Sequence, residues 1–256
     1  MIISPFSPIF FLSMPKRTGI ESRYVQIFSS SDSFFIQVIR LNDEAVMQCY
    51  LHDAATGNVI YNISPVTLSH GSNLKVDTYH FSTLASGRYY IALGSRISEP
   101  FLVTSDDHTL KDTVLMQYSP ADNRQRADVV ALLNGIRQIF SFRVPGGFKD
   151  NGWQFAIDNE QFVTDTADIV ELYSRESTQK TLTVGDSAGV PIWVGQHLNR
   201  ILTCRYFYID GSRYVRFESS VPTKEQSLEG VNSFVFSQTL QEIKNEMSNI
   251  EELVAL

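Results

Sequence analysis

Residues 185–189, Gly-Asp-Ser-Ala-Gly, fit the G-x-S-x-G pattern of a hydrolase nucleophile elbow. An elbow needs a strand before the serine and a helix after it, so that the hydroxyl stands above the sheet. Thr181 to Val184 supply the strand, but Val190-Pro191-Ile192-Trp193-Val194 reads as a second strand. Pro191 falls where a helix would need its first-turn amides. The serine is therefore expected in a hairpin loop of turn formers.

The same letters are close to the Gly-Asp-Ser-Gly-Gly-Pro of trypsin-like proteases. That chemistry requires a histidine base and a buried aspartate upstream of the serine. His52, His70, His80 and His108 are upstream, yet none lies in the small-residue Thr-Ala-Ala-His-Cys context, and one extra residue separates Ser187 from Pro191. Asp158, Glu160, Asp165 and Asp168 could hold a cation or act as a glycosidase pair. Carboxylates in turns and on strand edges of an acidic surface are the commoner case. Trp153 and Trp193 could stack on sugar rings, though indoles more often pack internally. The histidines lack H-x-x-x-H spacing, and Cys49 and Cys204 make neither a zinc site nor a disulfide framework. No catalytic, metal-ligating or cofactor-binding residue is assigned.

The elements expected to carry these residues are strands. Tyr24 to Leu41 holds β-branched and aromatic runs around a turn at Ser29 to Asp32, and Ala45 to Ser64 reads as strand, turn and strand about Asp53 to Asn58. Leu84-x-x-Gly87-x-Tyr89 has the spacing of a tyrosine corner. Asn151-Gly152 and Asp210-Gly211 each predict a two-residue hairpin turn; at Asn134-Gly135 a hairpin between apolar runs is favoured over a helix capped at Ser119-Pro120 and ending at Gly135. The expectation is a mainly β chain with two antiparallel β-sandwich-like domains, an extended N-terminal arm and a C-terminal amphipathic helix. The boundaries are an arm at 1–22, a sandwich at 23–108, a second β domain at 109–236 and a helix at 237–256.

Both ends carry apolar residues that need covering. Phe6, Ile9, Phe10 and Phe11 lie in an arm too proline-rich for a helix. Leu240, Ile243, Met247, Ile250 and Val254 recur at spacings of 3 and 4, a narrow helical seam. Two heptads do not hold alone in water, so these nine side chains are the candidate assembly interface.

The chain has 256 residues and a net charge of −7, without a basic stripe, which argues against a dedicated nucleic-acid binder. No apolar run reaches the roughly 20 residues of a membrane span, and the N-terminus lacks the charged region and cleavage site of a signal peptide. Taken together, "ISEPFLV", "DTVLMQYSPADNR", "FSFRVPGGF", "GWQFAIDNEQF" and "LNRILTCRYFYIDGSRYVRFESS" resemble structural virion proteins of tailed phages that infect Bacteroidetes, the crAss-like group among them. The resemblance covers most of the chain and contains no motif with a defined chemical role. It implies a non-enzymatic tail or neck component, made in the host cytoplasm and built into the virion as a homo-oligomeric ring against other virion proteins. A glycan-binding sandwich module is the alternative, and a serine hydrolase the third.

Overall fold

Alternation of apolar and polar residues turns the first hundred residues into two facing sheets. Residues 1–104 contribute β1 (Ile2–Ile3), β2 (Ile20–Glu21), β3 (Gln26–Ser29), β4 (Phe34–Leu41) and β5 (Cys49–Asp53). They continue with β6 (Val59–Ile63), β7 (Val66–His70), β8 (Leu74–Phe81), β9 (Gly87–Leu93), β10 (Arg96–Ile97) and β11 (Phe101–Thr104). In this computed structural model the described residues are 1–11, 20–21, 24–149, 153–217, 223–226 and 231–243. One sheet runs β1-β4-β8-β7 and the other β3-β11-β9-β5-β6, with β10 on β9. All pairings within the two sheets are antiparallel except β3 with β11. Between them lie Phe28, Phe34, Ile36, Leu51, Phe81, Ile91 and Phe101, each worth roughly 1.5 to 3 kcal/mol when fully buried.

Local signals set the turns. Asp53 Oδ1 accepts from the amides of Ala55 (2.9 Å) and Thr56 (2.7 Å), and Gly57 takes φ +74°, so the chain reverses between β5 and β6. Tyr89 Oη donates to the carbonyl of Ala85 at 2.9 Å, completing the tyrosine corner.

A short helix α1 (Asp107–Leu110), capped by Asp106, leads into the second unit. This unit contains β12 (Thr113–Ser119), β13 (Leu132–Leu133), β14 (Ile136–Arg137), β15 (Phe140–Phe148), β16 (Gln154–Val163) and β17 (Ile169–Val184). Helix α2 (Ile192–Ile201) follows, then β18 (Tyr206–Ile209), β19 (Ser212–Arg216), β20 (Thr223–Gln226), β21 (Val231–Asn232) and β22 (Phe234–Glu242). Pairing runs β17-β15-β12-β18-β19-β22, and β22 also pairs with β17, so these six strands close on themselves. Closure removes the sheet edges that would otherwise be left open. The interior is filled by Met116, Tyr118, Phe140, Phe142, Leu182, Phe207 and Leu240, and the apolar face of α2 packs on the same core. The hairpins at Asn134-Gly135 and Asp210-Gly211 form as expected, with φ of +52° and +82°, then +47° and +83°. The Asn151-Gly152 turn lies outside the described residues.

Three expectations are overturned. Residues 192–201 are helical rather than extended. Their local preference yields to tertiary packing, because Val194, Leu198 and Ile201 at helical spacing reach the barrel core. Pro191 sits at the N-cap, where its missing N–H costs nothing.

The helix placed at 237–256 is a strand up to Glu242, with Phe236, Gln238 and Leu240 buried alternately. The free edges of β17 and β19 take this segment as the strand that closes the ring, and that pairing overrides the heptad-like spacing. Met247, Ile250 and Val254 lie outside the described residues.

The N-terminal arm is not free either. Its β1 pairs with β4, and the amide of Ser4 donates to the carbonyl of Gln37 at 2.8 Å. Phe6 belongs to the barrel core and Ile9 to the sandwich core, three residues apart on one strap. Side-chain contacts also join the units. The Gln37 side-chain amide exchanges bonds of 3.0 and 2.8 Å with the backbone of Val130. Arg143 pairs with Asp32 through Nε (2.6 Å) and Nη2 (2.9 Å).

Candidate assembly surface

Of the nine side chains singled out by sequence, the six that lie among the described residues do not form one surface. Phe6, Ile9 and Leu240 are buried within the chain, at 1%, 6% and 0% exposure. Phe10 stacks on Trp193 (5.0 Å between centroids), Phe11 bridges to Ser98, and the amide of Ile243 donates to the Arg213 carbonyl.

Exposed apolar surface gathers elsewhere, on a hairpin that sequence reading did not single out. The 16-residue β17 belongs to the barrel only from Gln179 onward; its first part leaves the ring and pairs with β16. Ten residues of β16 at about 3.3 Å each make an arm of roughly 33 Å. It turns at Thr164 to Asp168, where the Thr164 amide donates to the Asp168 carbonyl and Ala167 takes φ +63°. Phe155 and Ile157 are 80% and 70% exposed, and Phe162, Val163, Ile169, Val170 and Leu172 are exposed as well. A bulge between Glu160 and Gln161 shifts the register part-way along. Its far edge pairs with no other strand among the described residues. An exposed, apolar, unpaired edge is a template for another chain. The available signal was the density of Phe, Ile and Val in a segment whose length exceeded what the barrel could pair.

The base of the hairpin is anchored. Lys180, buried at the foot of β17, reaches Glu242 at 2.8 Å and donates to Tyr214 Oη at 3.1 Å. Its ammonium also lies 4.3 Å from the Trp153 ring centroid. Burial works against the charged form, but these partners outweigh it and raise its pKa. The half-exposed Trp153 thus packs at the hairpin's root. Trp193 is partly buried, between Phe10 and edges of Tyr24 and Phe142.

The chemistry-bearing residues fall into ordinary structural positions. Ser187 is exposed in the loop between β17 and α2, and among the described residues it makes no hydrogen bond to a histidine. A strand and a helix do flank it, as an elbow would require, but the sheet is antiparallel and Val190 and Pro191 intervene before α2. Asp165 and Asp168 occupy the hairpin turn, with Glu160 back along β16. Among the described residues no group of three His, Cys, Asp or Glu side chains could hold a metal ion. Burial pushes the thiols of Cys49 and Cys204 up to about 12, which leaves them un-ionised at neutral pH.

A cleft of about 210 Å³ separates the N-terminal strap from α2, lined by Pro5, Ser7, Arg96, Trp193, His197 and Arg200. Its polar groups are partly committed to the strap. Arg200 Nη1 donates to the Pro5 carbonyl (3.0 Å), Tyr118 Oη donates to Phe6 (2.7 Å), and His197 Nε2 lies 2.9 Å from Tyr118 Oη.

Burial, with the Arg200 charge adding to it, pushes His197 down to about 3. Between pH 6.5 and 3 the unfolded chain binds a proton at this position that the folded chain refuses. Stability therefore rises with pH across that window and is lost as the pH is lowered from 6.5 to 3, by an amount on the order of 4 kcal/mol. Urea unfolding at pH 7 and pH 4.5 checks this. His197→Gln should flatten the dependence, and an equally steep loss in that variant would assign it to other groups.

Among the described residues no helix is long and apolar enough to cross a membrane. Compared with models of known families, with curated proteins and with solved structures, the chain matches none.

Proposed function

We propose that this protein is a non-enzymatic structural subunit that assembles with copies of itself, as a ring component of a phage tail or neck. The observation that carries the reading is the β16–β17 hairpin, an anchored arm with apolar side chains facing solvent. In the barrel most apolar side chains point inward, whereas along this extension Phe155, Ile157, Phe162, Val163, Ile169, Val170 and Leu172 are exposed. A lone chain gains nothing from ordering such an arm, whereas an assembled one recovers the burial. The likeness in phrase and order to virion proteins supplies the setting, and the virion is the proposed location.

Replacing Phe155 and Ile157 by aspartate tests the reading. Both side chains touch mainly water, so thermal stability should stay within about 0.5 kcal/mol of wild type. Anchors at an interface centre contribute about 2 kcal/mol or more each, so the concentration for half-assembly should rise at least thirtyfold. Sedimentation velocity across a concentration series reads both forms. A wild-type chain that stays monomeric throughout would remove the proposal.

A further inference from the structure

We infer that the hairpin of one copy docks on the β6–β7 edge of the next, head to tail; this rests on the assembly role proposed above and names its receptor. β6 is the edge strand of one sandwich sheet and β7 the edge strand of the other, and only Ser64 and Pro65 separate them. The same end of the sandwich thus presents two edges that pair with no further strand among the described residues. Val59, Ile60, Tyr61 and Val66 are all exposed on it.

Charge selects the pairing. Edge strands are ordinarily guarded by charged side chains, Lys above all. From Ala54 to Asn73 this chain has no Asp, Glu, Lys or Arg. The hairpin is the reverse: residues 154–176 hold Asp158, Glu160, Asp165, Asp168, Glu171 and Glu176 against Arg175 alone. Two such hairpins brought together would set carboxylates against carboxylates, which disfavours a symmetric hairpin-to-hairpin dimer. The uncharged edge offers unpaired backbone groups and apolar side chains without that repulsion, the requirements of strand addition. Donor and receptor occupy different surfaces of one chain. Each copy can therefore give an arm and accept one, and such contacts generate rings where the rotation closes.

Complementation tests this. The donor-deficient variant carries Phe155→Asp and Ile157→Asp, and the receptor-deficient variant carries Val59→Asp and Tyr61→Asp. Each alone should need at least a thirtyfold higher concentration to assemble, while keeping wild-type thermal stability. Mixed, they retain one intact donor and one intact receptor and should form a one-to-one dimer that grows no further. As a second measurement, Ile157→Cys and Ile60→Cys chains, mixed and oxidised, should give a disulfide-linked dimer, since Cys49 and Cys204 are buried. A receptor variant that assembles like wild type would overturn the β6–β7 assignment and leave the hairpin's role standing. A mixture that stays monomeric, with no disulfide-linked dimer, would also overturn it. Wild-type chains that never assemble would instead defeat the assembly reading itself.

Discussion

Gly146→Ala should cost at least about 4 kcal/mol, placing it among the rare severe single substitutions, while Gly147→Ala next to it should be nearly neutral. Gly146 lies in β15 opposite Val184 of β17, with φ +142°, a conformation that L side chains rarely adopt. A Cβ there would sit 2.1 Å from the carbonyl oxygen of Thr183, a backbone atom with nowhere to retreat. Relief requires β15 to move from β17 where only three residue pairs, Gly146–Val184 to Phe148–Leu182, join them. That seam closes the barrel, so its loss exposes the core to water. At Gly147 a Cβ would meet nothing within 4 Å. For a chain of this size 4 kcal/mol corresponds to a fall in Tm on the order of 10 °C. Thermal unfolding followed by circular dichroism compares the two variants. Equal melting temperatures would mean that this close approach does not govern the seam.

The second large effect is expected at Phe6. Truncation to alanine removes a ring that packs against Tyr118 (6.4 Å) and Phe140 (6.1 Å), and buried Phe→Ala changes cost roughly 3 to 5 kcal/mol. The cost should be the same at every protein concentration, because the cavity opens inside a single chain. Had the strap been an interface to a neighbour, the loss would shrink as dilution separated the wild-type subunits. Urea unfolding at two concentrations a hundredfold apart distinguishes these cases. Phe11→Ala, at a partly exposed position, serves as the milder control. Since Ile9 fills the other core, losing Phe6 should also loosen the joint between the two units, which accelerated hydrogen exchange of the β1 and β4 amides would reveal.

The two predictions rest on different kinds of information. Nothing in the letters around Gly146 marks it out from Gly147; the difference is the backbone of a strand some forty residues away. Phe6 did read as a residue needing cover, because a proline-rich apolar segment has no helix in which to hide. What would cover it was left open, since the barrel interior does not exist until β12 and β15 pair.

Sequence alone determined the β class, the tyrosine corner and the turns at Asp53–Gly57, Asn134-Gly135 and Asp210-Gly211. Asp210-Gly211 and Asn134-Gly135 work through positive φ at adjacent residues, Asp53 caps amides two and three residues ahead, and Tyr89 reaches back four residues. Each is complete within a few residues, so the letters suffice. The tertiary structure decided the closure of the barrel, the strand at Phe234–Glu242, the helix at Ile192–Ile201 and the emergence of the β16–β17 hairpin. Leu240 and Ile243 match a helical seam as readily as Phe236 and Leu240 match a strand, and local preference does not choose between them. The choice falls to two strand edges, Gln179–Val184 and Tyr214–Arg216, whose backbone groups pair with this segment. The hairpin follows from the same condition: β17 is longer than the barrel it closes, and what the ring cannot pair is left facing water.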